Sequence, residues 1–591
     1  MSTQTGEPSF LDRYPEEASI VKRTFFIAFV ALGIGALLGM LQALHRTNVL
    51  RILPSDQYYT MLTLHAVLLA LVFSIMFLLG LFLWAMTRSF DRGVVDIRFT
   101  KTWLGVMALG TTLAGIAMIG GFFSEIPLSA DVLYTFYAPL QAHPAYYAGL
   151  AIFIIGSWLA GVDFLRTYRA WRKENPDERI PLQSFMVLMT MLMWYIATIG
   201  VAIAVVVFLL PWSLGLFDQV NVLLTRTLFW FFGHPVVYFW LMPAYLLWYT
   251  VMPKIAGGRL FSDPLARVVF VLFLVLSVPT GIHHQYVDPG ISEGFKFIAM
   301  TNTMFLLLPS LLTAFTVVAS IEHGARQRGG TGYFGWLKAL PWRDPAFTGM
   351  ALAGVMFAAA GFSGMINAGM SINYLVHNTL WVPGHFHLTV GTAVALTFMA
   401  ATYWLWPQLT NRDLFSRPIA LAQVVLWFGG MVLMSNAMHI GGLSSIPRRT
   451  AEPQYAQFEF EPVFGVIGVS EIRIQIAVGG TLLFISAVLF LGNIAISWGQ
   501  PKRSGFGQTL PPALSGAADS PRVLDNLALW TVIALVLVVL AYALPIGAII
   551  ADGGLFGPGG SAYPALLDPA VLDAATASVA ETLDAVSEVL L

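Results

Sequence analysis

Trp381-Val382-Pro383-Gly384-His385-Phe386-His387 lies inside residues 345–411, a run without a single Asp, Glu, Lys or Arg. A soluble domain carries about 25% charged residues. An uncharged run this long fits helices that cross a bilayer, each needing about 20 apolar residues. Residues 180–217 form a second such run, and the 591-residue chain is 57% hydrophobic and only 11% charged. Imidazoles in that setting stand out, because ionisable groups at membrane depth are costly, roughly 2.5–3.5 kcal/mol for Arg, Lys or Asp, and mark function. Besides His385 and His387 there are four more: His65, His234 within Gly233-His234-Pro235-Val236-Val237-Tyr238, and the pair His283-His284.

Working outward, hydropathy predicts thirteen spans, at about 22–44, 59–86, 102–123, 143–168, 182–210, 220–250, 264–284, 295–321, 346–369, 375–406, 417–440, 474–498 and 527–551. The expected fold class is an all-α integral membrane bundle of about 13 transmembrane helices. With the N-terminus inside, 24 of the 31 basic residues fall on the inner side and six on the outer, as the positive-inside rule requires. Residues 1–20 then read as a polar inner segment and 21–552 as the membrane domain. Residues 553–591 read as an outer Gly-rich linker and an acidic amphipathic tail, a surface helix or a docking element for a partner. Met1 to Glu17 lacks the basic-then-apolar order of a cleaved signal, so the first span is expected to stay as an anchor.

Net charge is −1, which points away from a nucleic-acid partner. The chain has no cysteine. That excludes disulfides, iron–sulfur clusters, c-type haem attachment and thiolate copper sites on this polypeptide.

The topology places all six histidines in the outer half of the membrane. His385 and His387 are two residues apart, about 200° around a helix, so their side chains leave opposite faces. One metal cannot take both; two cofactors, one on either side of this helix, can. His65 is able to supply the second axial ligand to one of them. Bis-His ligation gives an electron-transfer haem, whereas a single axial His leaves a position open for a gas. His234, His283 and His284 remain as an all-imidazole set that suits copper or zinc. Tyr238 follows His234 by four residues and so shares its helix face.

These motifs resemble subunit I of the haem-copper oxygen reductases. Trp381 to His387 is similar to that family's haem helix. The run from Gly233 to Lys254, Thr135-Phe136-Tyr137-Ala138-Pro139-Leu140 and Asp344-Pro345-Ala346-Phe347 resemble its B-type branch, and the resemblance covers about residues 20 to 550. It implies twelve core helices with a thirteenth at the C-terminal end. It also implies that His65 and His387 ligate a low-spin haem, of b type. His385 would ligate a high-spin haem, of a type, and His234, His283 and His284 one copper ion, copper B. The matching tyrosine in the family, here Tyr238, is covalently joined to the histidine and supplies an electron and a proton when the O–O bond breaks.

Protons need a route from the inner side. Tyr238, Tyr245 and Tyr249 form one stripe on the sixth span, and Thr303, Ser310 and Thr313 another on the eighth. Alone such stripes more often make interhelical hydrogen bonds; the resemblance implies a single proton channel there. The loop at 87–101 lacks the Asn-rich pattern of the other channel known in A-type relatives. Arg448 and Arg449 are rare outer basic residues whose guanidinium forks suit haem propionates. Asn367, Asn373 and His377 share that layer. The better-known B-type pattern has an aspartate where Asn373 stands, so a carboxylate-based proton-loading site is in doubt. Arg226 and Asp288 are expected to pair nearby, and His45, His143, His323 and His439 to lie at the interface.

The resulting expectation is a respiratory terminal oxidase that reduces O2 to water, takes protons from the inside and pumps some. Its partners are a subunit II carrying a dicopper centre or another electron input, and cytochrome c or a small copper protein as donor. The expected location is a prokaryotic plasma membrane, N-terminus inside and C-terminus outside. Tyr238 argues against the rival nitric oxide reductase of the same superfamily. Back-to-back His385 and His387 argue against a proton-coupled transporter.

Overall fold

The computed structural model describes residues 6–47, 50–51, 53–123, 128–451, 468–557 and 577; the acidic tail, residue 577 apart, lies outside them. Among these residues the regular structure is helical, with three isolated bridges. Twelve helices are long and apolar enough to cross a membrane. With one shorter helix they are, in chain order, α1 (Pro15–Arg46), α2 (Ser55–Phe90), α3 (Ile97–Gly120), α4 (Pro144–Glu174), α5 (Leu182–Ser213), α6 (Val222–Ala256), α7 (Asp263–Ser277), α8 (Glu293–Gln327), α9 (Pro345–Ala368), α10 (Trp381–Thr410), α11 (Arg417–Leu443), α12 (Val469–Ser497) and α13 (Leu527–Gly553).

The seventh expected span is the exception. α7 ends at Ser277 after 15 residues, about 22 Å at 1.5 Å per residue. Pro279, which has no amide hydrogen to donate, follows the C-cap Val278, and the chain then winds into a 3₁₀ turn at Gly281–Gln285. The segment expected as one helix over 264–284 is thus a short helix plus a turn, and the turn carries His283 and His284.

Without a hydrophobic force between helices in lipid, close packing depends on small residues. α3 lies along α4 and α11 along α12. A Cβ on Gly149 would stand 2.4 Å from the backbone nitrogen of Ala114, and one on Gly479 2.7 Å from the carbonyl of Gly430. Larger residues at either point would push the paired backbones apart. The most enclosed spans are α2, α6 and α10, whose most apolar windows are 78%, 83% and 83% buried. These three carry His65, His234, His385 and His387. α13 is held through the linker before it: Asp525 accepts from Arg179 Nε at 2.6 Å and from Arg267 Nη1 at 2.7 Å.

Candidate functional site

Gly233-His234-Pro235 interrupts α6. The first half ends at Gly233 and the second begins at Pro235. Proline is tolerated at that first position, where its missing amide hydrogen costs no bond. The break seats His234 between two half-helices. The 3₁₀ turn comes up against it because Gly281 has no side chain; a Cβ there would lie 2.0 Å from the carbonyl oxygen of Trp230. The Trp230 ring stacks on His284 at 3.8 Å.

The result is a cluster in which one ligand atom from each of His234, His283 and His284 lies within 4.8 Å of the others. His234 Nδ1 is 3.3 Å from His284 Nε2. His283 Nδ1 meets the Thr303 hydroxyl at 2.6 Å, and that hydroxyl itself donates to the Ala299 carbonyl at 2.6 Å. The imidazole is therefore the donor, and its Nε2 is left free. His234 Nε2 is buried without a partner, and the Tyr238 ring packs on His234 at 4.8 Å between centroids. Three neutral nitrogens with no carboxylate or thiolate among them form a donor set that suits copper.

A second site opens between α1, α2, α10 and α11. It is a cavity of about 240 Å³ into which His65 and His387 both project. His65 Nδ1 is 2.7 Å from the Gly35 carbonyl and His387 Nδ1 2.7 Å from the Pro383 carbonyl. Each ring is thus oriented by its backbone partner with Nε2 free, the arrangement usual for metal-bound histidines. Gly39 makes room: a Cβ there would fall 2.6 Å from Cε1 of His65. Walls, imidazoles and the missing side chain fit a flat macrocycle held from both faces. Both helices pass into a π-helical turn beyond these residues, at Leu68–Phe73 and Thr389–Val394, a local widening frequent at functional sites. His385 leaves the other face of α10. Its Nδ1 is 2.9 Å from the Ser363 hydroxyl, and it lies within electrostatic range of His234 and His283.

Arg448 and Arg449 also line the cavity. Arg448 Nη2 donates to Asn378 Oδ1 at 2.8 Å, while Arg448 Nε and Arg449 Nη2 are buried with no partner. Burial, then the neighbouring Arg449, pushes Arg448 down to about 9. His377 Nδ1 is 3.0 Å from Asn373 Oδ1, and Asn373 Nδ2 donates to the Asn367 carbonyl at 2.6 Å. Arg226 pairs with Asp288 at 3.0 Å, as expected, and lies over the Tyr137 ring. Burial raises Asp288 against the pull of Arg226.

The hydroxyl stripes face each other. Thr313 donates to the Pro309 carbonyl at 2.8 Å, so the Tyr249 hydroxyl, 2.6 Å away, donates to Thr313. Tyr245 lies beside Ser310 and Thr313, fully buried. Thr303 sits at the metal end, against His283.

Four side chains escaped sequence reasoning or were misread. Ser363 and Gln42 are isolated polar residues in apolar spans, and no local pattern marks them. His45 and His439 were expected at the interface and instead pack inside. The His45 ring is 4.9 Å from Tyr58, and His439 stands edge-on to Trp381 at 4.5 Å.

The family model for Cytochrome C and Quinol oxidase polypeptide I matches residues 19–472. The chain is 40% identical over 553 residues to cytochrome c oxidase subunit 1 of Thermus thermophilus, covering 90% of this chain and 94% of that one. A heme-copper oxidase subunit I+III from Aeropyrum pernix is 26% identical over 411 residues, 66% of this chain and 47% of that protein. A cryo-EM structure of a heme-copper terminal oxidase dimer superposes with a TM-score of 0.84 at 33% identity, covering 97% of this chain and 99% of its counterpart.

Proposed function

The chain belongs to the cytochrome c and quinol oxidase polypeptide I family, a multi-pass membrane family of haem-copper terminal oxidases, and from that premise we propose that it is the catalytic subunit of a B-type respiratory oxidase that reduces O2 to water. The observation that carries this reading is the three-imidazole cluster with Tyr238 packed on His234. His65 and His387 hold a low-spin haem of b type, His385 a high-spin haem of a type, and His234, His283 and His284 one copper ion. When bound, these groups supply electron transfer and the place where O2 accepts electrons.

The chain's own residues do the rest. Thr303 keeps the proton of His283 on Nδ1. A ring carbon of Tyr238 is joined to His234 Nε2, the ring C–H and imidazole N–H giving up two protons and two electrons to O2, and the tyrosine then supplies a proton and an electron of its own. The Tyr245, Tyr249, Ser310 and Thr313 hydroxyls relay protons toward Tyr238 from the face that bears most of the basic residues, the inner face. Arg448, Arg449, His377 and Asn373 hold the carboxylates of the haems at the opposite end. Moving one charge across 100 mV costs about 2.3 kcal/mol, and part of the energy of O2 reduction drives pumped protons outward. With no cysteine, the chain takes its electrons through a second subunit that carries the dicopper centre or another input, supplied by cytochrome c or a small copper protein. It sits in a prokaryotic plasma membrane, N-terminus inside and C-terminus outside.

The test is a pyridine haemochrome spectrum, a copper assay and paired O2 and NO consumption on the purified oxidase. Two haems, one copper in this subunit and dominant O2 turnover are expected. Dominant NO turnover, or a protein without copper, would overturn the reading.

A further inference from the structure

Gln42 lies on α1 among the residues lining the cavity that His65 and His387 enter. It is 7% exposed, and its amide nitrogen Nε2 is buried with no hydrogen-bond partner. A buried amide donor without an acceptor is a costly group to keep inside an apolar span, and nothing among the described residues satisfies it. Its place along the helix narrows what does. Gly39, one turn before, stands against the His65 ring. Arg46, one turn after, lines the cavity and donates from Nε to the carbonyl of Thr450, the residue after Arg449, at 3.2 Å. Gln42 is therefore between the level of the ring ligands and the level of the guanidinium groups, where the carboxylate arms of a bound haem reach toward the arginines.

We infer that Gln42 Nε2 donates a hydrogen bond to a carboxylate of the low-spin haem and so raises the reduction potential of that haem. The inference rests on the assignment of His65 and His387 proposed above. Ferric haem carries one more positive charge than ferrous haem, so a nearby carboxylate favours the ferric form. A donor that draws off part of the carboxylate's charge weakens that preference, and hydrogen bonding around the macrocycle is one of the levers by which a protein sets its potential. Gln42 is a positioning and tuning residue, not a catalytic one.

The test uses the purified oxidase with Gln42→Met, which keeps the length of the side chain and removes the donor, and Gln42→Glu, which replaces the donor by a charge. Redox titration of the low-spin band should show a lower midpoint in both, with the larger fall in Gln42→Glu, growing as pH rises. Infrared redox-difference spectra with 13C-labelled haem carboxylates should show a shifted carboxylate band in Gln42→Met. Midpoints equal to the parent's overturn the inference. A lowered midpoint with unmoved carboxylate bands overturns the carboxylate as the acceptor. If Gln42→Met does not assemble, Gln42→Leu, which also removes the donor without adding a charge, is read by the same midpoint and carboxylate band. His387→Ala separates this from the haem assignment. If it keeps the low-spin band, the assignment fails; if it loses the band while the Gln42 midpoints stay parental, only the role of Gln42 fails.

Discussion

His283 Nδ1 and the Thr303 hydroxyl stand 2.6 Å apart, which ties an imidazole of the three-histidine cluster to the first residue of the α8 hydroxyl stripe. Because Thr303 spends its own hydrogen on the Ala299 carbonyl, it accepts from the ring and selects the tautomer whose Nε2 faces the cluster. Outer partners of metal-bound histidines are worth about 10–100-fold in metal affinity or activity. Thr303→Val should therefore lower the copper-to-haem ratio, read by elemental analysis, whereas Thr303→Ser should restore it. Full copper in the Val variant would show that the contact does not orient the ring.

His387→Ala should remove the low-spin haem and stop electron input while the haem-copper centre still assembles, because His385 leaves the opposite face of α10. Gly39→Val should act on the same band without replacing a ligand, since its side chain would occupy the space of the His65 ring. Optical spectra and haem stoichiometry check both. An unchanged low-spin spectrum at full haem occupancy in His387→Ala would sink the assignment.

Tyr238→Phe should leave haem and copper near normal and cut O2 reduction severely, since it keeps the ring packed on His234 and removes the phenol. Digestion of the parent followed by mass spectrometry should find the His234 and Tyr238 peptides linked. Turnover within about twofold of the parent at full metal content, measured with an oxygen electrode, would refute the role (a twofold change is only about 0.4 kcal/mol in barrier).

Thr313→Val removes the acceptor of the Tyr249 hydroxyl but keeps the side-chain shape. Proton uptake followed with a pH dye, and turnover with it, should slow while haem spectra stay intact. Parental rates in both would place the route elsewhere.

Burial, then Arg448, Arg226 and Arg449, pushes His377 down to about 4 from 6.5. An unfolded imidazole takes up a proton near 6.5 that the folded one refuses, so between about pH 6.5 and 4 the unfolded state binds more protons and stability rises with pH. Acidification through that window loses the contribution. His377→Asn should flatten the dependence of melting temperature on pH there, and Asn373→Asp, which puts a carboxylate against Nδ1, should move the window upward. A parental slope in His377→Asn would mean that another group carries it.

Much of this was legible in the chain because it depends on nearest neighbours in sequence. Uncharged runs predicted the spans, the two-residue spacing of His385 and His387 predicted opposite faces, and the four-residue spacing of His234 and Tyr238 predicted contact. The stripes at Tyr245, Tyr249, Ser310 and Thr313 also came together across α6 and α8. Less visible was the short α7. Hydropathy averages over a window and passes through Pro279, so it does not register the turn that presents His283 and His284.

The sequence by itself determined the membrane bundle and the six imidazoles carried within it, because apolar length and helical periodicity are local quantities. Tertiary structure decided which nitrogen each imidazole turns toward its site. His65 takes its orientation from Gly35, His283 from Thr303 and His385 from Ser363. It also decided that Gln42 and Gly39 face a cavity rather than lipid. The three orienting partners lie 20 to 30 residues away, on other helices. A hydrogen bond forms only where packing brings donor and acceptor within about 3 Å, and no local pattern in the chain encodes that meeting.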